Sequence, residues 1–194
     1  MEFDAFRRLA GTRTNISAKR LVHPGPTEQQ LAELLGVAAA APDHGQLAPW
    51  RFILVPVDAR ERLADAFARA LVERDASAGA DDIAKAKEKA YRAPTLLIAI
   101  VRLGGDEDAK IPPLERTVSF GAALQNILLG AHAMGFGAGL TSGKAMDSRP
   151  MRELCELAPQ EHAVCCINIG TITTAHGPRD NRKAPGEILR VLAK

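Results

Sequence analysis

Apolar positions along the chain switch between a helical period and short unbroken runs. From Thr27, a capping-box pair with Gln30 opens a helix whose apolar positions Leu31, Leu34, Leu35, Ala38 and Ala39 recur at helical spacing, and Pro42 closes it. The runs RFILVPV at 51–57, PTLLIAIVR at 94–102 and AVCCINIG at 163–170 are β-type, and the second is apolar on both faces, as a central strand would be. Between the first two, residues 58–75 and 81–93 follow a helical period with charge on one side, and Asp58 is placed to cap the first of them. A short amphipathic helix is expected over residues 3–10, stopped by Gly11, followed by an extended loop through Pro24 and Pro26. The longest helical pattern, 114–134, is apolar around most of its circumference and predicts a buried central helix. Its small residues Gly121, Ala122, Ala123, Gly130, Ala131 and Ala133 would let a second helix or a cofactor come close. GFGAGLTSG at 135–143 breaks it, and Asp147 is expected to cap a last helix through Leu154.

The order is helix, helix, strand, helix, helix, strand, long helix, strand, helix, strand. By itself this supports a helix-covered sheet of the α+β or α/β kind. Neither a repeat nor a linker-like stretch divides the chain, so residues 1–194 are expected to form one domain.

Charge and composition narrow the function classes. The net charge of +2 is spread over interspersed signs, without the basic stripe that nucleic-acid binding requires. One Trp, one Tyr and six Phe are too few for a base-stacking platform. The longest apolar run, Pro94 to Val101, falls well short of the roughly 20 residues of a membrane helix. MEFDAFRRLAG has acids and arginines where a signal peptide has its apolar core, so a soluble, cytoplasmic protein is expected. Cys155, Cys165 and Cys166 are odd in number and lack paired spacing, suggesting reduced thiols rather than a disulfide framework or zinc cluster.

Four stretches could carry chemistry. TRTNISAKR at 12–20 gathers Arg13, Thr14, Asn15, Ser17, Lys19 and Arg20 into one loop, cations and donors of the kind that hold a phosphate, although a solvated basic loop has the same composition. The glycines of 135–143 follow a helix rather than a strand, so they are neither a dinucleotide fingerprint nor a Walker loop; a backbone passing close to a flat ligand would also need them. His44 sits in a Pro-Asp-His turn between helix and strand, where a histidine is either a hydrogen-bonded turn residue or a ligand contact. No histidine has a metal-ligand partner at H-x-x-x-H spacing, and no G-x-S-x-G is present. Cys165-Cys166 lies inside an apolar strand, where thiols behave as small hydrophobes.

Taken in order, Arg13-Thr14-Asn15, A-P-D-H-G-Q-L-A-P-W-R-F at 41–52, the long helix running into GFGAGLTSG, and INIGT at 167–171 resemble the nitroreductase family of FMN-dependent NAD(P)H oxidoreductases, in its compact single-domain branch. The resemblance covers nearly the whole chain. It implies an α+β nitroreductase-like fold, with a central, mostly antiparallel sheet flanked by helices, and an intertwined homodimer with FMN at the subunit interface. It implies that Arg13, Thr14, Asn15 and Ser17 bind the flavin phosphate and ribityl oxygens, completed by Arg179 or Arg182 of the basic C-terminal arm. His44 would approach the flavin from the partner subunit, and Leu140, Thr141 and Ser142 would lie along the ring. Gly130, Ala131, His132, Ala133, Met134 and Gly135 correspond to a segment associated with NADH or NADPH. Catalysis would be flavin-mediated, without a protein nucleophile or a metal. Two departures stand out: two extra residues follow the first motif, and Leu140-Thr141 replaces the Trp-Arg seen in compact-branch members.

The expected activity is ping-pong hydride transfer from NAD(P)H to nitroaromatics, quinones or related small-molecule acceptors. Two alternatives are a flavin-binding or storage protein without efficient turnover and a thiol redox protein using Cys165-Cys166.

Overall fold

In the computed structural model, which describes residues 2–105, 110–173 and 182–192, five strands form one sheet in which every pairing is antiparallel. Its hub is the last strand, β5 (Glu161–Ile172), which pairs with β3 (Thr95–Arg102) from Ile169 opposite Thr95 to Glu161 opposite Arg102. β5 also carries β4 (Gly137–Thr141), from Gly170 opposite Gly137 to Cys166 opposite Thr141, and meets the two-residue β1 (Leu21–Val22) at Thr171 and Ile172. β2 (Trp50–Leu54) continues the sheet beyond β3.

The unbroken apolar character of β3 follows from cover on both faces. Leu97, Ala99 and Val101 join Cys165, Ile167 and Ile169 of β5 beneath α2 (Glu28–Ala39) and α5 (Pro113–Ala133), where Leu34, Phe120 and Ile127 fill the core. The alternate residues Leu96, Ile98 and Ile100 join Cys166 on the opposite face, against Leu63 and Phe67 of α3 (Arg60–Arg74), Ala86 of α4 (Ala80–Glu88) and Met151 of α6 (Arg149–Leu154). Successive strand residues point to opposite faces, so the two neighbouring cysteines enter different cores and cannot act as a dithiol pair. Burial raises their thiols, to about 11 for Cys165 and about 12 for Cys166, far from thiolate chemistry.

The capping box forms as expected: Gln30 N–H donates to Thr27 Oγ1 (3.2 Å) and Thr27 N–H to Gln30 Oε1 (3.0 Å). Other expectations are corrected. α1 (Phe3–Thr12) runs through Gly11 and ends at Arg13 in an extended conformation, so no left-handed glycine stops it. Asp58 lies in a 3-10 turn, and α3 opens behind Ala59 without a side-chain cap. Ser148, not Asp147, caps α6, its Oγ accepting from Met151 N. α5 is not buried all round: its opening turns leave Leu114 (73%) and Val118 (66%) exposed while Arg116 turns inward, its Nε donating to Ile111 O at 3.1 Å.

Candidate functional site

The glycine-rich segment after α5 serves two local purposes. Gly135, at φ +85°, closes the helix in a Schellman arrangement, its N–H donating to His132 O (3.0 Å) and that of Phe136 to Ala131 O (2.9 Å). β4 then brings Gly139 against the basic loop. A Cβ at Gly139 would stand 2.1 Å from Ile16 O, so only glycine admits the loop this close. Ile16 N–H donates to Ala138 O (2.9 Å), and the Asn15 side-chain oxygen accepts from Leu140 N–H (2.9 Å). The first motif and the glycine segment are thereby one structural unit, despite lying more than a hundred residues apart.

Cations gather on both sides of that unit. Arg13, half-buried, makes no side-chain hydrogen bond or ion pair among the described residues, and its pKa is lowered by burial and then by the charge of Arg182. Arg182 folds back from the C-terminal arm to donate to Arg13 O (2.8 Å) and Ala10 O (3.3 Å). Two guanidinium groups close enough that the charge of one lowers the proton affinity of Arg13, with no carboxylate bonded to either among the described residues, suit an anion. Arg179 lies outside the described residues.

A cavity of about 770 Å³ opens between the end of β4, the turn after the basic loop, and α3 and α4. Its volume falls within the roughly 300–1,000 Å³ of small-molecule sites. Lys19, Lys89 and Lys144 line it without a hydrogen bond or ion pair among the described residues. The acids on its wall are already engaged: Asp82 with Lys85, Asp75 with Ser77, and Glu88 with Arg92. The carboxyl of Glu88 is held below its ordinary value by the Arg92 hydrogen bond first, with Arg92, Lys19 and Lys89 adding charge. The cavity therefore has positive charge to spare.

Thr141 and Ser142 form part of its wall, with Cys166 and Asn168 of β5 beside them. Asn168 is 2% exposed, and its Nδ2 donates to Thr141 Oγ1 (2.9 Å), Gly139 O (3.3 Å) and Cys166 O (3.4 Å). Ser142 Oγ donates to Val164 O (2.6 Å). The side chain of Leu140 packs into the core under α5, on the opposite face.

The remaining sequence candidates lie elsewhere. His44 stands 67% exposed away from the cavity lining, its Nδ1–H donating to Glu115 Oε2 (2.5 Å). Thr14 is half-buried and Ser17 exposed in the basic loop, neither with a side-chain partner among the described residues. At the end of α5, a Cβ on Gly130 would lie 2.7 Å from Leu34 Cδ2, so this glycine lets α2 and α5 pack closely. Ala131 is fully buried, Met134 packs on the core, and Ala133 is exposed. His132 Nε2 meets Thr12 Oγ1 at 2.8 Å; since that hydroxyl already donates to Arg8 O, the imidazole is the donor.

Residues 17–171 match the family described as the Nitroreductase family. The chain belongs to the nitroreductase family. It is 34% identical over 170 residues to "Putative NAD(P)H nitroreductase YdjA" of Escherichia coli, covering 87% of this chain and 88% of that protein. Among solved structures, the nitroreductase-like protein of Bacillus cereus superposes with a TM-score of 0.82 at 19% identity, over 100% of this chain and 99% of the other. A nitroreductase structure from Desulfovibrio desulfuricans, in complex with FMN, gives 0.69 at 18% identity, over 100% and 99%. The antiparallel sheet flanked by helices is thus the nitroreductase fold.

Within this nitroreductase-family chain, sequence reasoning left Lys89 and Asn168 unassigned and gave Lys19 no role beyond the basic loop. Lys89 carries no local signal, because it lies in a charged helical stretch among several lysines. Asn168 did carry one: it is the lone amide in the apolar run CCINIG, and a buried amide must find partners or a ligand.

Proposed function

We propose that the protein is an FMN-dependent oxidoreductase that uses NADH or NADPH to reduce small nitroaromatic, quinone or related acceptors in alternation. The observation that carries this reading is the cavity at the end of β4, walled by Thr141 and Ser142 and lined by Lys19, Lys89 and Lys144, with the loop that carries Arg13 tied to the same strand through Asn15 and Leu140. That donor set fits FMN, which has a dianionic phosphate at one end, a flat ring at the other, and a pyrimidine edge rich in acceptors. When bound, FMN supplies the hydride chemistry.

The chain's own work is binding, orientation and electrostatics. Arg13 and Arg182 take the phosphate, with Thr14, Ser17 and the amide hydrogens of Asn15 turned to the ribityl oxygens. Lys19 and Lys89 put positive charge beside the ring, where they favour added electrons. Gly139 and the Asn15–Leu140 hydrogen bond keep the basic loop and the ring wall in fixed relation. Leu140, Thr141 and Ser142 border the ring through backbone and the Thr141 hydroxyl, and the 130–135 segment borders the nicotinamide donor.

His44 completes the site from a second copy of the chain. Supporting a homodimer are apolar side chains left in the open on α1 (Phe3, 74% exposed), on α5 (Leu114 and Val118), and on the C-terminal arm (Val191, 87%; Leu192, 95%). Among the described residues no helix is long and apolar enough to cross a membrane, in keeping with work in the cytoplasm. Substrate turnover, rather than flavin storage, is favoured by the cavity's openness to a second small molecule beside the ring wall.

The test is an absorption spectrum of the protein reconstituted with FMN, followed by anaerobic addition of NADH or NADPH. Flavin bands that bleach with either donor and return with a nitroaromatic support the reading. A protein that takes up no FMN overturns it, and bands that do not bleach leave a flavin-storage protein.

A further inference from the structure

Asn168 is the least expected side chain in the cavity. It sits in the middle of β5 with 2% of its surface exposed, flanked by Ile167 and Ile169 at 0%. Its amide hydrogens are committed to Gly139 O, Cys166 O and Thr141 Oγ1. The two carbonyls only accept, so they fix the orientation of the amide: Nδ2 must face them and Oδ1 must face away. Oδ1 accepts no hydrogen bond among the described residues, although the residue lines the cavity. Oδ1 is not among the enclosed polar atoms left without a partner, so its lone pairs open onto the cavity, where water or the donor of a ligand can meet them.

Thr141 is tied to the same arrangement. Its Oγ1 accepts from Asn168 at 2.9 Å, and its hydroxyl hydrogen has no acceptor among the described residues. With one lone pair occupied, the hydroxyl is turned into a donor toward the cavity. The wall therefore offers an acceptor, Asn168 Oδ1, next to a donor, Thr141 O–H.

We propose that Asn168 and Thr141 form a reader for the imide edge of the bound flavin, Asn168 Oδ1 accepting from the ring N3–H and the Thr141 hydroxyl donating to a neighbouring ring carbonyl. The inference rests on the proposed FMN site and names two specificity determinants within it. An imide is the chemistry this wall selects, because N–H beside C=O is the complement of acceptor beside donor. The nicotinamide carboxamide also has N–H and C=O, but Asn168 is almost wholly enclosed, which suits the group that stays rather than one that exchanges each turnover.

The experiment compares FMN with its N3-methyl analogue, in which the imide hydrogen is replaced, by flavin-fluorescence titration of the full-length protein. Wild type is expected to bind FMN about tenfold or more tightly than the analogue, since a site built for a hydrogen bond rejects a ligand lacking it. Asn168→Leu should lose about tenfold for FMN and little for the analogue, bringing the two within about twofold. Thr141→Val should weaken FMN by a few fold and keep most of the preference. If wild type binds both flavins equally, or Asn168→Leu keeps the wild-type preference, the proposal fails while the FMN reading stands. If wild type binds neither, the FMN reading falls first. Should Asn168→Leu not fold, the wild-type comparison and Thr141→Val still decide, because equal binding of the two flavins by wild type, or unchanged FMN affinity in Thr141→Val, overturns the proposal.

Discussion

The carbonyl oxygen of Ile16 lies 2.1 Å from where a Cβ on Gly139 would stand. This contact joins a loop near the start of the chain to a strand near its end. Around it, Asn15 binds Leu140 from one side and Asn168 binds Gly139 O from the other, so both amides hold β4 in place where the cation-lined cavity begins.

Gly139→Ala should detach that loop. The nearest atoms are backbone, Ile16 O and Ile16 C at 3.1 Å, and have no rotamer to give way. A loss of about 2 kcal/mol or more in urea unfolding is expected, with FMN retention lost alongside. A variant as stable as wild type would mean that the loop shifts at little cost.

The Arg13–Arg182 pair predicts a phosphate-specific effect. Arg182→Ala removes two hydrogen bonds to the end of α1 and one of two adjacent cations. FMN affinity should fall about tenfold, with a shallower salt dependence, while riboflavin, which lacks the phosphate, should bind as before. Equal losses for both flavins would show that Arg182 supports the fold rather than the phosphate.

Much of this fold could be read from period and burial. β3 is apolar on both faces because helices cover both, and the Thr27/Gln30 capping box is a local signal with a local cause. Caps that depend on neighbours two residues away were less legible: Ser148 serves α6 in place of Asp147, and α3 opens with no side-chain cap. The exposed face of α5 was missed because an apolar stripe looks the same whether it meets the core or another surface. In the site, Arg13 and Thr141 were found through motifs, but Lys89, at the C-terminal end of α4, converges with Lys19 only through the tertiary packing of α4 on α3. The side-chain direction of Leu140, away from Thr141, followed once the strand pairing of β4 was known.

His44 separates stability from binding. Its ring is 67% exposed and, among the described residues, bonded only to the half-exposed Glu115, so His44→Ala should change unfolding free energy by no more than about 0.5 kcal/mol. In the proposed dimer the same substitution should weaken FMN retention. Unchanged FMN affinity would return His44 to a turn residue that binds only Glu115.

Glu161 is one carboxylate whose pairing makes stability fall in acid. It opens β5, and its carboxylate accepts from Arg51 Nε (2.7 Å), Arg51 Nη2 (2.8 Å) and Ala158 N–H (3.0 Å). The Arg51 hydrogen bonds chiefly hold the carboxyl below its ordinary value, against the opposing effect of burial. Because the folded pKa is depressed, the contribution is fully present above the unfolded value of about 4.3 and is lost as pH falls through the folded value. Glu161→Gln should cost about 1–3 kcal/mol at pH 7, since a neutral amide cannot accept all three bonds. Urea unfolding of both proteins from pH 7 downward should show that gap narrowing once the pH drops below about 4.3. A gap that stays constant to pH 3 would show that packing at the start of β5, and not the charged pair, sets the difference.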